Sequence, residues 1–299
     1  TVFMEEDCEA DGNDVICPVG LKQGANCRKK GEDIEQGSVI LKAGQRLRPQ
    51  ELGLAASVGI KELKVMGTLR VAVFSTGDEV YDPSDQAPEG GIFDANRYSV
   101  MSMLEAMSCH VTDLGILPDD KEAIAVAIGG AAKDHHVIVT SGGVSAGEED
   151  HVKAAVECHG RVDFWRLAIK PGRPIALGRL GDAAFIGLPG NPVAAMVTFM
   201  VIARSVLLML MGASETTATR YPVTAAFSYK KKMGRREWVR ATLSETGGAG
   251  LSVQKFRSSG AGILTSMVAA DGLVELPEDI DSIASGDVVQ FLPFNEVSG

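Results

Sequence analysis

Short runs of β-branched and aliphatic residues recur along the middle of the chain, separated by stretches with helical spacing. Arg70-Val71-Ala72-Val73-Phe74-Ser75 is apolar at consecutive positions, the pattern of a strand covered on both faces. Residues 110–117 and 136–140 read as strands too, and 164–169, 174–179 and 183–188 follow. Between them, Asp94-Ala95-Asn96 caps a helix predicted to run to about Met107, residues 121–132 form a second, and residues 150–158 a third. Strands and helices alternating at this spacing predict right-handed βαβ units and a mostly parallel sheet over residues 67–212.

The flanks lack that alternation. Residues 1–66 carry short β-type runs, Val15-Ile16-Cys17 and Ser38-Val39-Ile40-Leu41, with one short helix near 49–58, and read as a small, loop-rich β domain. Residues 213–299 show strand patterns over 221–227, 238–243, 250–253, 272–276 and 287–291, joined by glycine-rich and polar turns, as in a small β-barrel or sandwich. The expected class is therefore α/β. A central, mostly parallel α/β/α domain (67–212) stands between a small β-rich N-terminal domain (1–66) and a C-terminal β-barrel-like domain (213–299). The chain opens at Thr1 without methionine, in the middle of what reads as a strand, so a fragment of a longer protein is expected.

One segment has the length of a membrane span. Residues 192–211 are mostly apolar, but Arg204 and Ser205 interrupt them, and Pro192 behind Asn191 is a helix start suited to water. Gly212 ends it. A buried core or dimer-interface helix is expected, and no membrane.

Composition narrows the partners. The 299 residues are 45% hydrophobic and 23% charged, as in ordinary globular proteins. The net charge of −10 argues against nucleic-acid binding. Cys8, Cys17, Cys27, Cys109 and Cys158 are odd in number and show no CxxC spacing, which predicts free thiols in a reducing cytoplasm.

Candidate chemistry gathers in loops that follow the strands of the middle domain. In Thr140-Ser141-Gly142-Gly143-Val144-Ser145-Ala146-Gly147-Glu148-Glu149-Asp150, small residues leave backbone N–H groups bare to cradle a phosphate. The closing carboxylates would repel that phosphate unless a divalent metal stood between. Ser75-Thr76-Gly77-Asp78-Glu79, Leu117-Pro118-Asp119-Asp120 and Leu188-Pro189-Gly190-Asn191-Pro192 follow other strands. Together the loops place Glu79, Asp119 and Asp150 on one edge, and carboxylate oxygens with water are the usual shell of Mg²⁺ beside a phosphate. Lys170-Pro171-Gly172-Arg173-Pro174 adds two cations in a proline-stiffened loop, an oxyanion clamp that Arg166 can join.

Gly143-Val144-Ser145-Ala146-Gly147 also fits the GxSxG nucleophile elbow, but His151 and His159 are the only later histidines and lie within one short helix of it, which excludes the Ser–Asp–His order. No Walker A sequence and no GxGxxG follow the first strand, so ATPase and dinucleotide-oxidoreductase readings fall away.

These motifs resemble, in this order, the MoeA family of molybdopterin molybdenumtransferases and its gephyrin E-domain relatives. The likeness adds Asp94-Ala95-Asn96-Arg97, Leu114-Gly115-Ile116, Phe164-Trp165, Asn26-Cys27-Arg28 and Gly31-Glu32-Asp33, and covers essentially the whole chain apart from the family's N-terminal segment. It implies Mg²⁺-dependent insertion of molybdate into adenylylated molybdopterin with release of AMP. In that reading Glu79, Asp119 and Asp150 hold metal or orient water, and Lys170, Arg173 and Arg166 hold molybdate or pyrophosphate. Thr76, Gly77, Ser141, Gly142, Gly143, Ser145 and Asn191 belong to substrate loops, and Pro189 and Pro192 shape the pocket floor. Asp33 lines the groove from the small β domain of a homodimer partner, and Arg240 and Ser258 or Ser259 are secondary candidates. Arg166 and Arg173 stand where relatives often carry lysine. The resemblance also implies molybdopterin adenylyltransferase as the pathway partner. The rival readings are an adenylyltransferase, whose domain resembles residues 67–212, and a non-catalytic gephyrin-like scaffold.

Overall fold

The computed structural model describes residues 1–143, 151–246 and 250–298, with only the backbone of Phe164, Trp165 and Thr246. Two compact units result, Thr1–Lys64 and Val65–Gly299.

The first unit is sparse in regular structure. β1 (Glu9–Asp11) and β2 (Asp14–Ile16) form an antiparallel hairpin whose turn uses Gly12 at φ 62°. α1 (Pro49–Ser57) starts with proline in its first turn and a reciprocal cap between Arg48 and Glu51. The expected strand at 38–41 does not form: those residues pair with no ladder, and Val39 is exposed. Apolar runs become strands only where a sheet face receives them, and this unit buries only Glu51 and Ala55.

The second unit is built on β3 (Arg70–Thr76), β6 (His110–Leu117), β7 (Val137–Ser141), β8 (Gly160–Arg166), β10 (Pro174–Leu180) and β11 (Ala183–Leu188). Their order across the sheet is β6-β3-β7-β11-β10-β8, and the first four are parallel neighbours. Only β10 runs against the rest, paired antiparallel with both β11 and β8. A tight turn at Gly181, in the left-handed region at φ 58°, joins β10 to β11. The predicted strand at 164–169 is in fact two. β8 starts at Gly160, and a separate β9 (Ile169–Lys170) follows a break closed by the Leu167 N–H on Arg173 O.

Alternation explains the layering. Val71, Val73, Val137, Val139, Ile186 and Leu188 face a core shared with α2 (Ala95–Ala106) and the long helix from Pro192. Ala72, Phe74, Ile138 and Phe185 face the other way, onto α3 (Lys121–Asp134) and α4 (His151–Glu157). Both faces are covered, as a parallel sheet requires. The apolar helix runs as α5 (Pro192–Thr198), a π turn (Phe199–Ala203) and α6 (Arg204–Leu210). It is long and apolar enough to cross a membrane by length and composition, yet half of it is buried in the fold, with Phe199, Ala203 and Leu207 in the core.

After a short parallel ladder, β4 (Val80–Tyr81) with β5 (Ile92–Phe93), the remaining strands belong to the C-terminal region. β12 (Tyr221–Ala225), β14 (Arg236–Thr246), β15 (Gly250–Lys255), β16 (Gly272–Leu276) and β18 (Val288–Pro293) close into a five-stranded barrel, and β13 (Tyr229–Lys230) pairs with β17 (Ser282–Ile283) beside it. Val223, Ala225, Val239, Ala241, Val253, Val274, Val289 and Phe291 fill the interior. β9 joins the barrel rather than the central sheet, parallel to β14, with Ile169 opposite Arg236 and Lys170 opposite Glu237.

Candidate active site

Because β6, β3, β7 and β11 are adjacent and parallel, the loops after them emerge side by side at the carboxyl edge, where ligands of such sheets bind. Hydrogen bonds stitch these loops together. The Thr76 hydroxyl donates to Asp119 Oδ1 (3.3 Å), the Gly142 N–H to Leu188 O (3.2 Å) and the Ser141 hydroxyl to Pro189 O (3.2 Å). Asn96, in the first turn of α2, spans the gap: its Nδ2 donates to Ser141 Oγ (2.8 Å) and to Gly190 O (2.6 Å). Its Oδ1 is buried and has no partner among the described residues. Gly142 (φ 95°) and Gly143 (φ 63°) are left-handed, and a Cβ on Gly143 would stand 2.4 Å from Val152 Cγ2. Glycine is required there on both counts.

Glu79 folds back beside Gly77, and Glu79 and Asp119 are both exposed. Ser145 and Asp150 lie outside the described residues. Among the described residues no group of three or more His, Cys, Asp or Glu side chains stands together as a metal site. The expected carboxylate set is thus represented by Glu79 and Asp119, on loops from neighbouring strands.

Asn96 stands in the sequence as part of a helix cap and of the Asp94-Ala95-Asn96-Arg97 motif, with no site role assigned to it, yet it holds two of the site's loops. Asn96→Ala removes both bonds and leaves Gly190 O and Ser141 Oγ without that donor, a loss of about 1–3 kcal/mol at the edge. The expected result is a rise of about tenfold or more in KM for the substrate held at this edge; unchanged steady-state kinetics would show that the loops hold themselves.

The predicted clamp divides. Arg166 ends β8 opposite Pro174, so it and the exposed Arg173 sit at the carboxyl edge. Gly172 (φ 85°) packs on α5, where a Cβ would meet Thr198 Oγ1 at 2.1 Å. Lys170 turns instead to the barrel. Its Nζ donates to the Tyr229 hydroxyl (3.3 Å), lies 3.5 Å from Glu237 Oε2 and stands 6.0 Å from the Tyr229 ring centre.

Lys170 there lines a cleft of about 80 Å³ with Arg240, Lys255, Arg257, Ser258 and Ser259. Arg166 and Arg173 do not line it. Four cations face one carboxylate, that of Glu237. Arg240 is 4% exposed; its Nε donates to Ser266 Oγ (3.0 Å) and its Nη2 to Ser258 O (3.2 Å) and Gly260 O (3.0 Å). Among the described residues no carboxylate pairs with it, and burial pulls its pKa below the ordinary value. Trp238, whose buried indole N–H has no partner among the described residues, lines the same cleft. A buried cation with hydrogen-bond partners but no carboxylate, beside an indole N–H with no partner among the described residues, is chemistry that an oxyanion can satisfy. Burial pushes Glu237 up, but the Arg235 guanidinium and the Tyr229 hydroxyl outweigh it and hold the carboxyl below its usual range. Burial and Glu237 raise the Tyr229 phenol.

Comparison with known proteins fixes the lineage. Residues 72–208 match the family described as "Probable molybdopterin binding domain", 222–294 the "MoeA C-terminal region (domain IV)" and 1–59 the "MoeA N-terminal region (domain I and II)". A molybdopterin molybdenumtransferase of Haemophilus influenzae is 37% identical over all of this chain and 74% of its own length. The chain belongs to the MoeA family of molybdopterin molybdenumtransferases. As a MoeA-family member it is a transferase of molybdenum cofactor biosynthesis. Molybdopterin molybdenumtransferase 2 of Mycobacterium tuberculosis is 33% identical over 89% of the chain and 67% of its own. A crystal structure of the MoeA protein from Pyrococcus horikoshii superposes with a TM-score of 0.73 at 29% identity, covering 97% of this chain and 70% of that one. Gephyrin of Dictyostelium discoideum is 28% identical over 97% of this chain, which spans 45% of that protein.

Proposed function

We propose that this MoeA-family chain inserts molybdate into adenylylated molybdopterin, releasing AMP, in a Mg²⁺-dependent step. The observation that carries the reading is the cleft in which buried Arg240 has no carboxylate partner among the described residues and shares the wall with Lys170, Lys255 and Arg257. It suits a small tetrahedral dianion such as the molybdate substrate. The loops of Thr76, Gly77, Ser141, Gly142, Gly143 and Pro189–Pro192 suit the phosphate side of the pterin nucleotide, with Arg166 and Arg173 at the same edge.

The chemistry required of the protein is positioning and charge neutralisation, since a phosphoanhydride is cleaved without a covalent protein intermediate. Glu79 and Asp119 offer only oxygen donors beside a backbone N–H cradle, which fits a hard cation that keeps water and substrate phosphate in its shell. With Asp150 they would hold Mg²⁺, which supplies neutralisation of phosphate charge. Ser145 belongs to the phosphate loop in this reading rather than to a nucleophile elbow.

A homodimer in the cytoplasm is part of the proposal, with Asp33 completing the partner's groove. In the first unit Val2, Met4, Val15, Ile16, Val19 and Val39 are exposed, apolar surface that a second copy would cover. Molybdopterin adenylyltransferase would supply the adenylylated substrate. An adenylyltransferase activity of this chain itself would leave the barrel cleft without a purpose, and a pure scaffold would have no use for four cations gathered on one cleft.

The test is incubation of the protein with adenylylated molybdopterin, Mg²⁺ and molybdate. AMP release that depends on molybdate is expected; its absence from folded protein would overturn the assignment.

A further inference from the structure

We infer that Tyr229 and Glu237 hold Lys170 in place as positioning residues for the oxyanion, an inference that rests on the cleft being the molybdate site. The Tyr229 hydroxyl donates to Glu237 Oε2 (2.9 Å) and accepts from Lys170 Nζ (3.3 Å), so one oxygen bridges the two charges. Glu237 is itself immobilised. Its side chain is 1% exposed, the Arg235 Nε donates to its other oxygen (3.0 Å), and its backbone is opposite Lys170 in the β9–β14 ladder. Arg235, Tyr229 and Lys170 are the groups bonded to its carboxylate, and Arg240 lines the same cleft.

A free lysine has many rotamers, and an anion that captures it must bear the cost of ordering it. Here the ammonium is confined before the anion arrives. The Glu237 contact at 3.5 Å is long for a charge-assisted bond, so the ammonium keeps donors to offer. The Tyr229 ring limits where it can swing. Both residues line the cleft themselves, and their positioning role is exerted through the ammonium of Lys170.

Tyr229→Phe keeps the ring and removes only the bridging oxygen. The expected result is a rise of about tenfold in KM for molybdate, with kcat within about twofold, KM for adenylylated molybdopterin unchanged and the melting temperature preserved. Tungstate, titrated calorimetrically, should weaken in the same proportion. Wild-type protein that binds neither molybdate nor tungstate overturns the reading of the cleft. Wild-type protein that binds them, beside a variant with unchanged KM and Kd, overturns the positioning role alone. Equal loss for both substrates also overturns it, because a general structural defect would not discriminate between them.

Discussion

Arg97→Met is expected to destabilise the second unit by about 3–5 kcal/mol, because it removes one partner of a buried ion cluster. Arg97 is 3% exposed and bonds three carboxylates: Asp94 through Nε (3.0 Å), Asp113 and Asp82. Burial opposes its charge, but these bonds raise its pKa. Asp94, 2% exposed at its side chain, also caps α2 by accepting the Arg97 N–H (3.1 Å). Methionine would fill the volume and leave Asp94 with no cation. For a unit of this size the loss corresponds to a fall in melting temperature of about 6–20 °C, read by calorimetry. A shift below about 2 °C would show that water already screens the cluster. Acid acts on the same place. The backbone amide and hydroxyl of Ser84, with Arg97 and Tyr98, hold the Asp82 carboxyl down to about 2 from 3.8. A depressed folded-state pKa gives stability that is present above the ordinary value and lost as pH falls from there through about 2. The wild type should therefore lose stability over that window, and Arg97→Met should lose less.

Lys170→Met is expected to lower kcat/KM for molybdate about a hundredfold, the effect of losing roughly 2–3 kcal/mol of charge-assisted bonding. The side chain is partly exposed and lies on a two-residue strand, so its removal should leave the fold intact. Methionine keeps the aliphatic stem against the cleft and removes only the charge. Arg240 is a poorer first target, because it also secures the 258–260 segment through two carbonyls. Retention of wild-type molybdate dependence by Lys170→Met would move the oxyanion away from the barrel and towards Arg166 and Arg173.

The central sheet was legible because its strands alternate between two buried faces, and no short-range reading can mistake Val71-Ala72-Val73-Phe74 for surface. The carboxyl-edge loops followed from that, including Thr76, Asp119, Ser141 and Pro189. Failure came where local sequence does not hold the deciding partner. The 38–41 run has strand-forming residues but no sheet to receive it. Lys170 reads with Arg173 as one clamp, being three residues away, yet its partners Tyr229 and Glu237 lie more than fifty residues on. The single reversed strand, β10, depends on a tight turn at Gly181 that the apolar pattern alone does not register.

β9 also has a mechanical meaning. Lys170 belongs to the barrel's ladder, and four residues later Pro174 opens a strand of the central sheet. A strand paired onto the five-stranded barrel is therefore contributed from outside the segment that builds it. A chimera that exchanged residues 213–299 for those of a relative would leave this strand behind and inherit a foreign seam at the cleft. Grafting that respects the architecture must carry Ile169 and Lys170 with the barrel. For the same reason, Lys170 is tied to the barrel through the β9–β14 ladder, and the short strap from Pro171 to Arg173 links it to the central sheet.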